Sequence, residues 1–478
     1  MTAVLQRKRI TGLFLQESPG EEVMKKCITL LWLFNFPLLL YSLTGGICVQ
    51  AHAGITQVAS LTADSPESLA AFGSAVALDG DVLAVGAPDE DAGGTVDSGA
   101  VYIFHRNTGG KEGWGLVKRL SLNDSDQNYN HGFGTSVAVS GDIAVVGAPG
   151  EIVYGDVSAG AIYIYYRHQG GTDNWGRVKR EIRTVRSAGD WFGASVAAAS
   201  GILVAGSPGE DTAAGGDGGA SYVYSRNYGG TDNWGLVKKL TPGNGEAGDA
   251  FGSSVTVSGG TVVVGAPHAS SGMVDNAGAV FVFSRDHGGA GNWGEVKDIS
   301  LGLFNAHGND FFGGSVALHN DVLAVGAEGD DSAGTQAGAA YVYHRDQGGA
   351  DNWGKVRRLT ASDGDAYDYF GRSVGVSDTL IVAGALNQGD QDGYPNAGAV
   401  YAFSQNSGGE NNWGEIAKIL PRVRQDNANF GNSVAASGDT MAFGEPGRNT
   451  APDGGGAANI FVQRFPWILF FPVLDRAD

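Results

Sequence analysis

Short apolar runs separated by tight polar turns follow one another along most of the chain. In the first full example, the apolar run 74–78 is followed by the polar turn 79–81 and a second run over 82–85. A third run covers 100–104, and a Gly-rich loop then leads through Trp114 into a fourth. Runs of this length joined by Gly-rich turns are typical of antiparallel strands. The pattern therefore predicts an all-β chain built from four-stranded antiparallel sheets.

The unit occurs seven times at a nearly constant interval. Each copy opens with a Phe-Gly pair, and consecutive pairs are 58 to 61 residues apart. Fourteen residues after each Phe stands a Gly that opens a Gly-Ala-Pro triplet or a variant of it. A fixed period held over most of a chain indicates an array of one supersecondary unit. The seven Phe residues are Phe72, Phe133, Phe192, Phe251, Phe312, Phe370 and Phe430, and the seven Gly residues are Gly86, Gly147, Gly206, Gly265, Gly326, Gly384 and Gly444.

The side chains become larger from the first strand of a unit to the third. The first two are rich in Ala, Val, Ser and Gly, whereas the third has aromatic residues at alternate positions, as at Tyr102 and Phe104. Small residues near the centre and large rings further out are the taper of a β-propeller. Only six copies have a Trp-led fourth strand, and residues 55–61 resemble that strand without its Trp. We therefore predict a seven-bladed β-propeller over 54–464, closed by its N-terminal strand. An open β-solenoid, the alternative, leaves 55–61 unexplained.

The net charge of the chain argues against nucleic acid as a partner. Gly accounts for 78 of the 478 residues and Pro for 14, and the net charge is −20. Because nucleic-acid binding needs a basic surface, this charge disfavours a nucleic-acid partner. We interpret most of the acidic side chains as a solvated surface.

The first 53 residues have the parts of a secretory signal. Two lysines follow Met24, an apolar run covers 28–43, and the exit at 51–53 is small-x-small. These features predict a signal peptide at 1–53, with Met24 as the more natural start, and export to the outside or surface of the cell. An uncleaved membrane anchor is the alternative, because 27–49 is long enough to span a bilayer.

The positions of the two cysteines and the length of the C-terminal tail limit the chemistry and membrane contacts that the chain can have. Cys27 and Cys48 both lie in the signal segment, so the mature chain would have no disulfide, no thiol nucleophile and no Cys-bound metal. At the other end, residues 465–478 form an apolar tail that is too short to span a membrane.

Two residue types that repeat with the period are predicted to be architectural. An Arg ends the third strand in five blades and a Trp follows eight residues later, so the guanidinium can stack on the indole. A ring of ligand-binding cations is the functional alternative. An Asp stands two residues before the Phe in four copies, where its carboxylate can accept backbone N–H bonds. These residues are Arg106, Arg167, Arg226, Arg285 and Arg345, and Asp190, Asp249, Asp310 and Asp368.

The paired FG and GAP signals, the period of about sixty residues and the count of seven resemble the FG-GAP repeat family, best known from the propellers of integrin α-subunits. The resemblance covers 54–464 and is closer to the bacterial-type branch, which has a GxVYVF strand followed by a Trp-led strand. It implies a seven-bladed propeller exposed outside the cytoplasm and often concerned with adhesion or ligand recognition.

Calcium binding is the family property from which this chain departs. Many FG-GAP repeats carry an Asp-rich calcium loop between their first two strands, but that turn has only two or three residues here. Since a hard cation needs several converging oxygens, we predict no metal site at these turns. Acid clusters after the GAP triplets leave calcium possible in another geometry, although ordinary acidic loops are the simpler interpretation. The clusters are Asp89, Glu90 and Asp91; Glu210 and Asp211; Glu328, Asp330 and Asp331; and Asp390 and Asp392.

The sequence favours recognition over catalysis. It contains no His-Glu-x-x-His zinc motif and no phosphate-binding loop, and we predict no catalytic residue and no cofactor. The longest loops after the GAP triplets, at 150–159, 268–277 and 386–397, should emerge on one face and form the ligand surface, although simple loop drift also explains their length. We expect an exported, monomeric module for recognition or adhesion that binds an extracellular protein or glycan. An extracellular hydrolase or lyase acting on polysaccharide and a purely structural scaffold are the alternatives.

Overall fold

The computed structural model of this chain describes 42–43, 46–47 and most of 54–464. Within the last range the residues it does not describe are 65–66, 68, 93–95, 109, 111, 123–130, 214, 303–304, 390–392 and 451–453. Apart from the antiparallel two-residue strands β1 (Ser42–Leu43) and β2 (Gly46–Ile47), the predicted signal peptide lies outside the described residues, and so does the predicted tail at 465–478.

The compact unit Ile55–Arg464 consists of seven sheets of four strands, which we call blades 1 to 7. The first strands of the blades are β4 (Ala75–Asp79), β8 (Ser136–Ser140), β12 (Val196–Ala199), β16 (Ser254–Ser258), β20 (Ser315–His319), β24 (Phe370–Val376) and β28 (Val434–Ser437). The second strands are β5 (Val82–Ala87), β9 (Ile143–Ala148), β13 (Ile202–Ser207), β17 (Thr261–Ala266), β21 (Val322–Ala327), β25 (Leu380–Ala385) and β29 (Thr440–Glu445).

The outer half of each blade follows the same order. The third strands are β6 (Ala100–Arg106), β10 (Ala161–Tyr166), β14 (Ala220–Ser225), β18 (Ala279–Ser284), β22 (Ala339–His344), β26 (Ala399–Ser404) and β30 (Ala457–Arg464). The fourth strands are β7 (Trp114–Ser121), β11 (Gly176–Glu181), β15 (Gly235–Leu240), β19 (Gly294–Ser300), β23 (Gly354–Leu359), β27 (Gly414–Ile419) and, for blade 7, β3 (Gly54–Leu61).

The ring is closed as the sequence predicts. Blade 7 has the strand order β28-β29-β30-β3, so its outer strand comes from the N-terminal side of the chain. The first strands of neighbouring blades contact one another around the ring, and β28 contacts β4. The seven-bladed propeller of antiparallel blades is therefore confirmed, and no helix occurs among the residues that the structure describes.

The core lies between the blades. Each of seven apolar clusters is shared by two neighbouring blades, and the last one joins blade 7 to blade 1. Between blades 1 and 2, for example, Val101 and Ile103 of β6 pack against Tyr163 and Tyr165 of β10. Burial on both faces is why the second and third strands are apolar almost throughout.

The Phe-Gly pair and the GAP triplet meet at these interfaces, which explains why both repeat. In blade 3, a Cβ placed on Gly206 would lie 1.9 Å from the carbonyl oxygen of Gly252, the FG glycine of blade 4. Gly252 itself has φ +99, a conformation that side chains other than Gly rarely adopt. The same approach recurs at all seven interfaces, including Gly444 against Gly73. The two motifs are therefore one contact between adjacent blades.

Strand direction separates the connections into two faces. The short turns from first to second strand and the Gly-rich loops from third to fourth strand lie on one face, which we call the turn face. The connections from second to third strand and from each blade to the next lie on the opposite face, which we call the loop face. The three long loops of the sequence prediction belong to the loop face.

Candidate functional site

Exposed apolar side chains are concentrated on the loop face. Among the described residues, ten of the twelve large apolar side chains that stand exposed lie in its connections, and only Tyr228 and Leu236 lie elsewhere. Clusters of exposed apolar side chains mark interaction sites more often than scattered ones do. The ten are Leu69, Val96, Tyr154, Val157, Val185, Trp191, Met273, Tyr367, Tyr394 and Val423.

Four of these ten belong to two segments that bond each other, and we call them the blade 2 patch: Tyr154, Val157, Val185 and Trp191. The loop that carries Tyr154 and the connection to blade 3 are joined by backbone hydrogen bonds, from Gly189 N to Val157 O (2.9 Å) and from Trp191 N to Ser158 O (3.0 Å).

A cation lies over the most exposed ring of the blade 2 patch. The guanidinium of Arg186 lies over the ring of Tyr154, 4.7 Å from its centroid, and its Nε is 3.2 Å from Asp156 Oδ2. Tyr154, although 84% exposed, therefore contacts one member of a charged pair. An exposed aromatic ring with polar neighbours suits recognition.

Met273 and Tyr394, the other exposed apolar residues of the long loops, lie in other blades. Met273 is 99% exposed and Tyr394 is 39% exposed, and they belong to blades 4 and 6. The structure thus places Tyr154, Met273 and Tyr394 on the same face but in three blades that are not adjacent.

A funnel opens where the ring axis meets the loop face. Its volume is about 470 Å³, and its lining includes the residue that follows the Phe-Gly pair in five blades. In one wall Arg372 Nη1 is 3.0 Å from Glu328 Oε1, and in another the ring of His268 meets Phe311 edge-on at 5.4 Å. The five residues after Phe-Gly are Ser74, Ser253, Gly314, Arg372 and Asn432.

A bonded group of three side chains, not predicted from the sequence, recurs in five blades; its tyrosine is buried in all five and its acid in four, Asp363 of blade 6 being exposed. In blade 1, Tyr102 Oη donates to Glu90 Oε1 (2.9 Å), and Arg119 Nε donates to the same oxygen (2.8 Å). Tyr102 and Arg119 face each other across β6 and β7. We call this Tyr–acid–base group the blade triad. Its members are Tyr102, Glu90 and Arg119; Tyr163, Glu151 and Arg180; Tyr222, Glu210 and Lys239; Tyr341, Asp330 and Arg358; and Tyr401, Asp363 and Lys418.

The sequence contains a signal for the triad. The acid precedes the tyrosine by twelve residues in the first three blades, as Glu151 precedes Tyr163, and the base follows the tyrosine by seventeen in all five. Blade 6 hides the pattern, because its acid, Asp363, comes from the connection that precedes the blade.

Burial dominates the electrostatics of the triad. Burial, and after it the facing carboxylate, raises the pKa of Tyr102 and Tyr163 far above the ordinary value, so these hydroxyls stay protonated donors. Burial also raises the pKa of Glu90, although Arg119 and Tyr102 oppose that shift. In blade 5 burial again raises the pKa of the acid, but bonds from Ser332 and Tyr341 outweigh it and the pKa of Asp330 is lowered. The triad therefore cross-links the third and fourth strands of each of these five blades to a loop-face connection.

The acid clusters proposed as calcium ligands are mostly engaged in these and other contacts. Glu90, Glu210 and Asp330 are the triad acids. The residue after each of them accepts a backbone N–H farther along its loop, as Asp91 Oδ1 does from Asp97 N (3.0 Å). Asp211 and Asp331 make the same kind of bond. Asp390 and Asp392 lie outside the described residues. Among the residues that are described, no group of three or more acidic, His or Cys side chains could hold a metal ion. Ordinary acidic loops stay the prediction for these clusters, and calcium in another geometry stays its alternative.

The prediction for the Asp two residues before the Phe is confirmed in all four blades. Each Oδ2 accepts the backbone N–H of the residue three positions earlier: Ser187 to Asp190 (2.7 Å), Glu246 to Asp249 (2.7 Å), His307 to Asp310 (2.6 Å) and Asp365 to Asp368 (2.7 Å). Burial raises the pKa of all four, to about 6 at Asp310 and Asp368.

The predicted stacking of Arg on Trp within a blade is found only at Arg345, whose guanidinium is 5.4 Å from the Trp353 ring. It is not found at the other four, and at Arg167 and Arg226 an acid of the loop takes the cation instead. Arg167 Nε donates to Asp173 Oδ1 (2.6 Å), and Arg226 bonds Asp232.

The backbone, rather than the guanidinium, brackets the Gly-rich loop. Trp234 N donates to Arg226 O (2.9 Å), and four further blades have the same bond. The Trp side chain reaches the preceding blade, where Trp234 Nε1 donates to Tyr166 Oη (2.7 Å).

A ring of serines links the blades near the axis. Ser136 Oγ donates to Gly193 O of the next blade (2.8 Å), and five other serines repeat this bond. One of them, Ser373, lies in the stretch 371–375, which matches the Gly-x-Ser-x-Gly pattern of hydrolase nucleophiles. Its Oγ donates to Gly431 O (2.7 Å), as its sister serines do, so its position follows from the repeat.

No helix in the described residues is long and apolar enough to cross a membrane.

Comparison with known proteins identifies the repeat. The FG-GAP repeat profile matches residues 55–104, 114–165, 234–283, 304–343, 353–403 and 413–461, which is more than half of the chain. No curated protein is a significant sequence relative. Similar solved structures include a chain of the mitotic checkpoint complex (13% identity, TM-score 0.49, covering 91% of this chain and 100% of that chain) and the WD40 β-propeller domain of Doa1 (12% identity, TM-score 0.47, covering 86% and 98%). The profile match, read together with the contact between the FG and GAP glycines, shows that this chain belongs to the FG-GAP repeat family.

Proposed function

We propose that this protein is an exported, non-catalytic module for recognition or adhesion, and that its ligand is an extracellular protein or glycan bound on the loop face. The observation that carries the proposal is the concentration of exposed apolar side chains on that face. Connections on both faces send side chains such as Phe133 and Trp175 into the core between the blades, so burial in that core does not account for the ten that stand exposed on the loop face.

The blade 2 patch is the best candidate for the centre of the binding surface. It joins an exposed ring, two exposed valines and a half-exposed Trp191 to the Arg186–Asp156 pair. Aromatic residues and Arg are the side chains that most often dominate binding energy at interfaces. Export is supported by the signal-like sequence at 1–53.

The test is a panel of extracellular glycans and proteins probed with the chain from residue 54 onward. We expect saturable binding without release of a product, and loss of that binding in the double variant Tyr154→Ser with Val157→Ser. The matched control is Tyr228→Ser, which removes an exposed tyrosine from the turn face. Binding unaffected by the double variant, or turnover of a polysaccharide, would contradict the proposal.

A further inference from the structure

Blade 4 departs from the blade triad at all three positions. Ala269 stands in place of the acid, Phe281 in place of the tyrosine, and Asp298 in place of the base. The strand register is unchanged, because Phe281 faces Asp298 as Tyr222 faces Lys239 in blade 3. The blade has therefore lost an internal cation and gained a carboxylate in its place.

These replacements leave a recess. A cavity of about 300 Å³ opens on blade 4, with Phe281 and Ala269 among its lining residues. Its polar lining includes the carboxylates of Asp298, Asp249 and Glu246. Larger side chains stand at the three triad positions in five other blades, so the recess is the space that those side chains would fill.

The other blades show what this space accommodates. The cation of the base lies over the tyrosine ring at 6.0 Å for Arg119 and Tyr102, 5.9 Å for Lys239 and Tyr222, and 5.7 Å for Lys418 and Tyr401. Each of these cations also bonds an acid. In three of the five triad blades, a guanidinium or ammonium group thus lies near both an aromatic ring and a carboxylate in this part of the blade.

Blade 4 keeps an aromatic ring, Phe281, and has carboxylates around the recess, but it supplies no cation from the triad position. The neighbouring Lys297 does not compensate, because its Nζ donates to Asn352 Oδ1 of blade 5 (3.3 Å). Asn244 Nδ2 donates to Asp298 Oδ2 (2.9 Å), which ties that carboxylate to the connection from blade 3.

We propose that the blade 4 recess binds an organic cation, an alkylguanidinium or alkylammonium group that takes the place of the missing triad base. Its carbon chain would lie against Phe281 and Ala269 and its charge would face Asp298, Asp249 and Glu246. A metal ion suits the recess less well, because Ca²⁺ needs six to eight converging oxygens whereas the described carboxylates form no metal-binding group and an aromatic ring lies among them.

The cation site rests on the proposed function in recognition, and it specifies the chemistry of one contact with the ligand. The cation has two possible sources, a basic side chain of a bound peptide and a free amine, and both share this chemistry. The recess and the blade 2 patch belong to different blades, so they can be tested separately.

The experiment is a calorimetric titration at low salt with agmatine, a free alkylguanidinium. We expect saturable binding, weakened about three- to tenfold by Asp298→Asn, since one partly exposed charge pair is lost. Asp298→Lys should abolish binding, because it restores the internal cation found in blade 3. The control Glu410→Gln removes the same charge from an exposed side chain in the turn-face loop of blade 6 and should bind as the wild type does.

Further probes separate the sources and the alternatives. Tighter binding of the blocked peptide acetyl-Gly-Arg-Gly-amide than of agmatine would support the proposal and assign the cation to a peptide, whereas the reverse order would support it and assign a free amine. Undiminished agmatine binding by folded Asp298→Lys would overturn the proposal. So would the absence of binding to folded wild-type protein, or binding of Ca²⁺ but of neither probe. In each of these cases the panel result would be unaffected: the ligand found there would still fail to bind the Tyr154 and Val157 double variant. The proposed function and the cation site can therefore fail separately.

Discussion

Eight of the nine buried carboxylates among the described residues, all except Glu445, fall into two kinds that differ in what surrounds them. Triad acids such as Glu151 have a cation and a hydroxyl as partners. The acids before the Phe, such as Asp310, have backbone N–H donors but no salt-bridged cation of the triad type. The first kind is stabilised by partners that would themselves be unpaired without it, and the second kind is disfavoured in its charged form by burial.

We predict that Glu151→Ala lowers the free energy of unfolding by about 1–3 kcal/mol, because Tyr163 Oη and the half-buried Arg180 lose their acceptor. The combined variant Glu151→Ala, Tyr163→Phe and Arg180→Ala should cost less than the sum of the three single changes, since it leaves no buried polar group unpaired. Urea unfolding of the four variants measures this. Strict additivity would show that the three side chains do not act as one group.

A second residue-scale prediction concerns pH. Burial, opposed by the His307 N–H and reinforced by the nearby Asp330 and Asp331, raises the pKa of Asp310 from 3.8 to about 6. Because the folded state holds this proton more tightly than the unfolded chain does, the stabilisation is fully present below pH 3.8 and is lost as pH rises through about 6.

Asp310→Asn should therefore flatten the fall of the melting temperature between about pH 4 and pH 7. The control Glu410→Gln changes the net charge equally and should keep the wild-type slope. Identical slopes for Asp310→Asn and the wild type would show that Asp310 titrates in the same range in both states.

At the scale of elements, the periodic features were predictable from the sequence and the features that cross between blades were not. The turns, the apolar strands and the Asp–backbone bonds are local, so the spacing of Asp368 from Phe370 was enough to place its carboxylate. The partners of Arg226 could not be predicted in this way, because they include the ring of Tyr166 in the preceding blade, at 4.8 Å. Spacing along one repeat carries no information about the neighbour's side chain.

The blade 4 recess shows the same limit. The loss of an acid at Ala269, of a hydroxyl at Phe281 and of a base at Asp298 is visible in the sequence. These replacements indicate a recess only once the three positions are known to lie side by side. The sequence does not show this, whereas the cross-strand register of β18 and β19 does.

The serine ring gives an element-scale prediction, because blade 1 lacks its serine. Ala75 occupies the place where six blades have a hydroxyl that bonds the next blade. Ala75→Ser should raise the free energy of unfolding by about 0.5–1.5 kcal/mol through a bond to Gly134 O, the equivalent acceptor. Ser195→Ala, the converse change in blade 3, should lower it by a similar amount. An Ala75→Ser variant no more stable than the wild type would mean that the bond does not form in blade 1.

At the scale of the whole molecule, the ring depends on pairing between chain segments that are far apart in sequence. β3 completes blade 7, where Gln57 Nε2 donates to Asn459 Oδ1 (2.7 Å) in a buried contact. Asn459 Nδ2 in turn donates to Glu445 Oε2 (2.8 Å), and Gln57 Oε1 accepts the N–H of Arg422 (3.1 Å). A buried amide that is fully bonded fixes the register of this strand, since a slip by one residue would leave its partners unpaired.

Removal of residues 54–61 should therefore open the ring at blade 7. The edge of β30 would present unpaired N–H and C=O groups, and the apolar cluster between blades 6 and 7 would lose Ile55. We expect a lower melting temperature and concentration-dependent association by light scattering, both reversed when a synthetic peptide of residues 54–61 is added. Thr56→Ser, which changes an exposed side chain of the same strand, is the control and should leave both properties unchanged. A truncated chain that stays monomeric and has the melting temperature of the wild type would contradict this prediction. Closure by the N-terminal strand would then contribute little to stability.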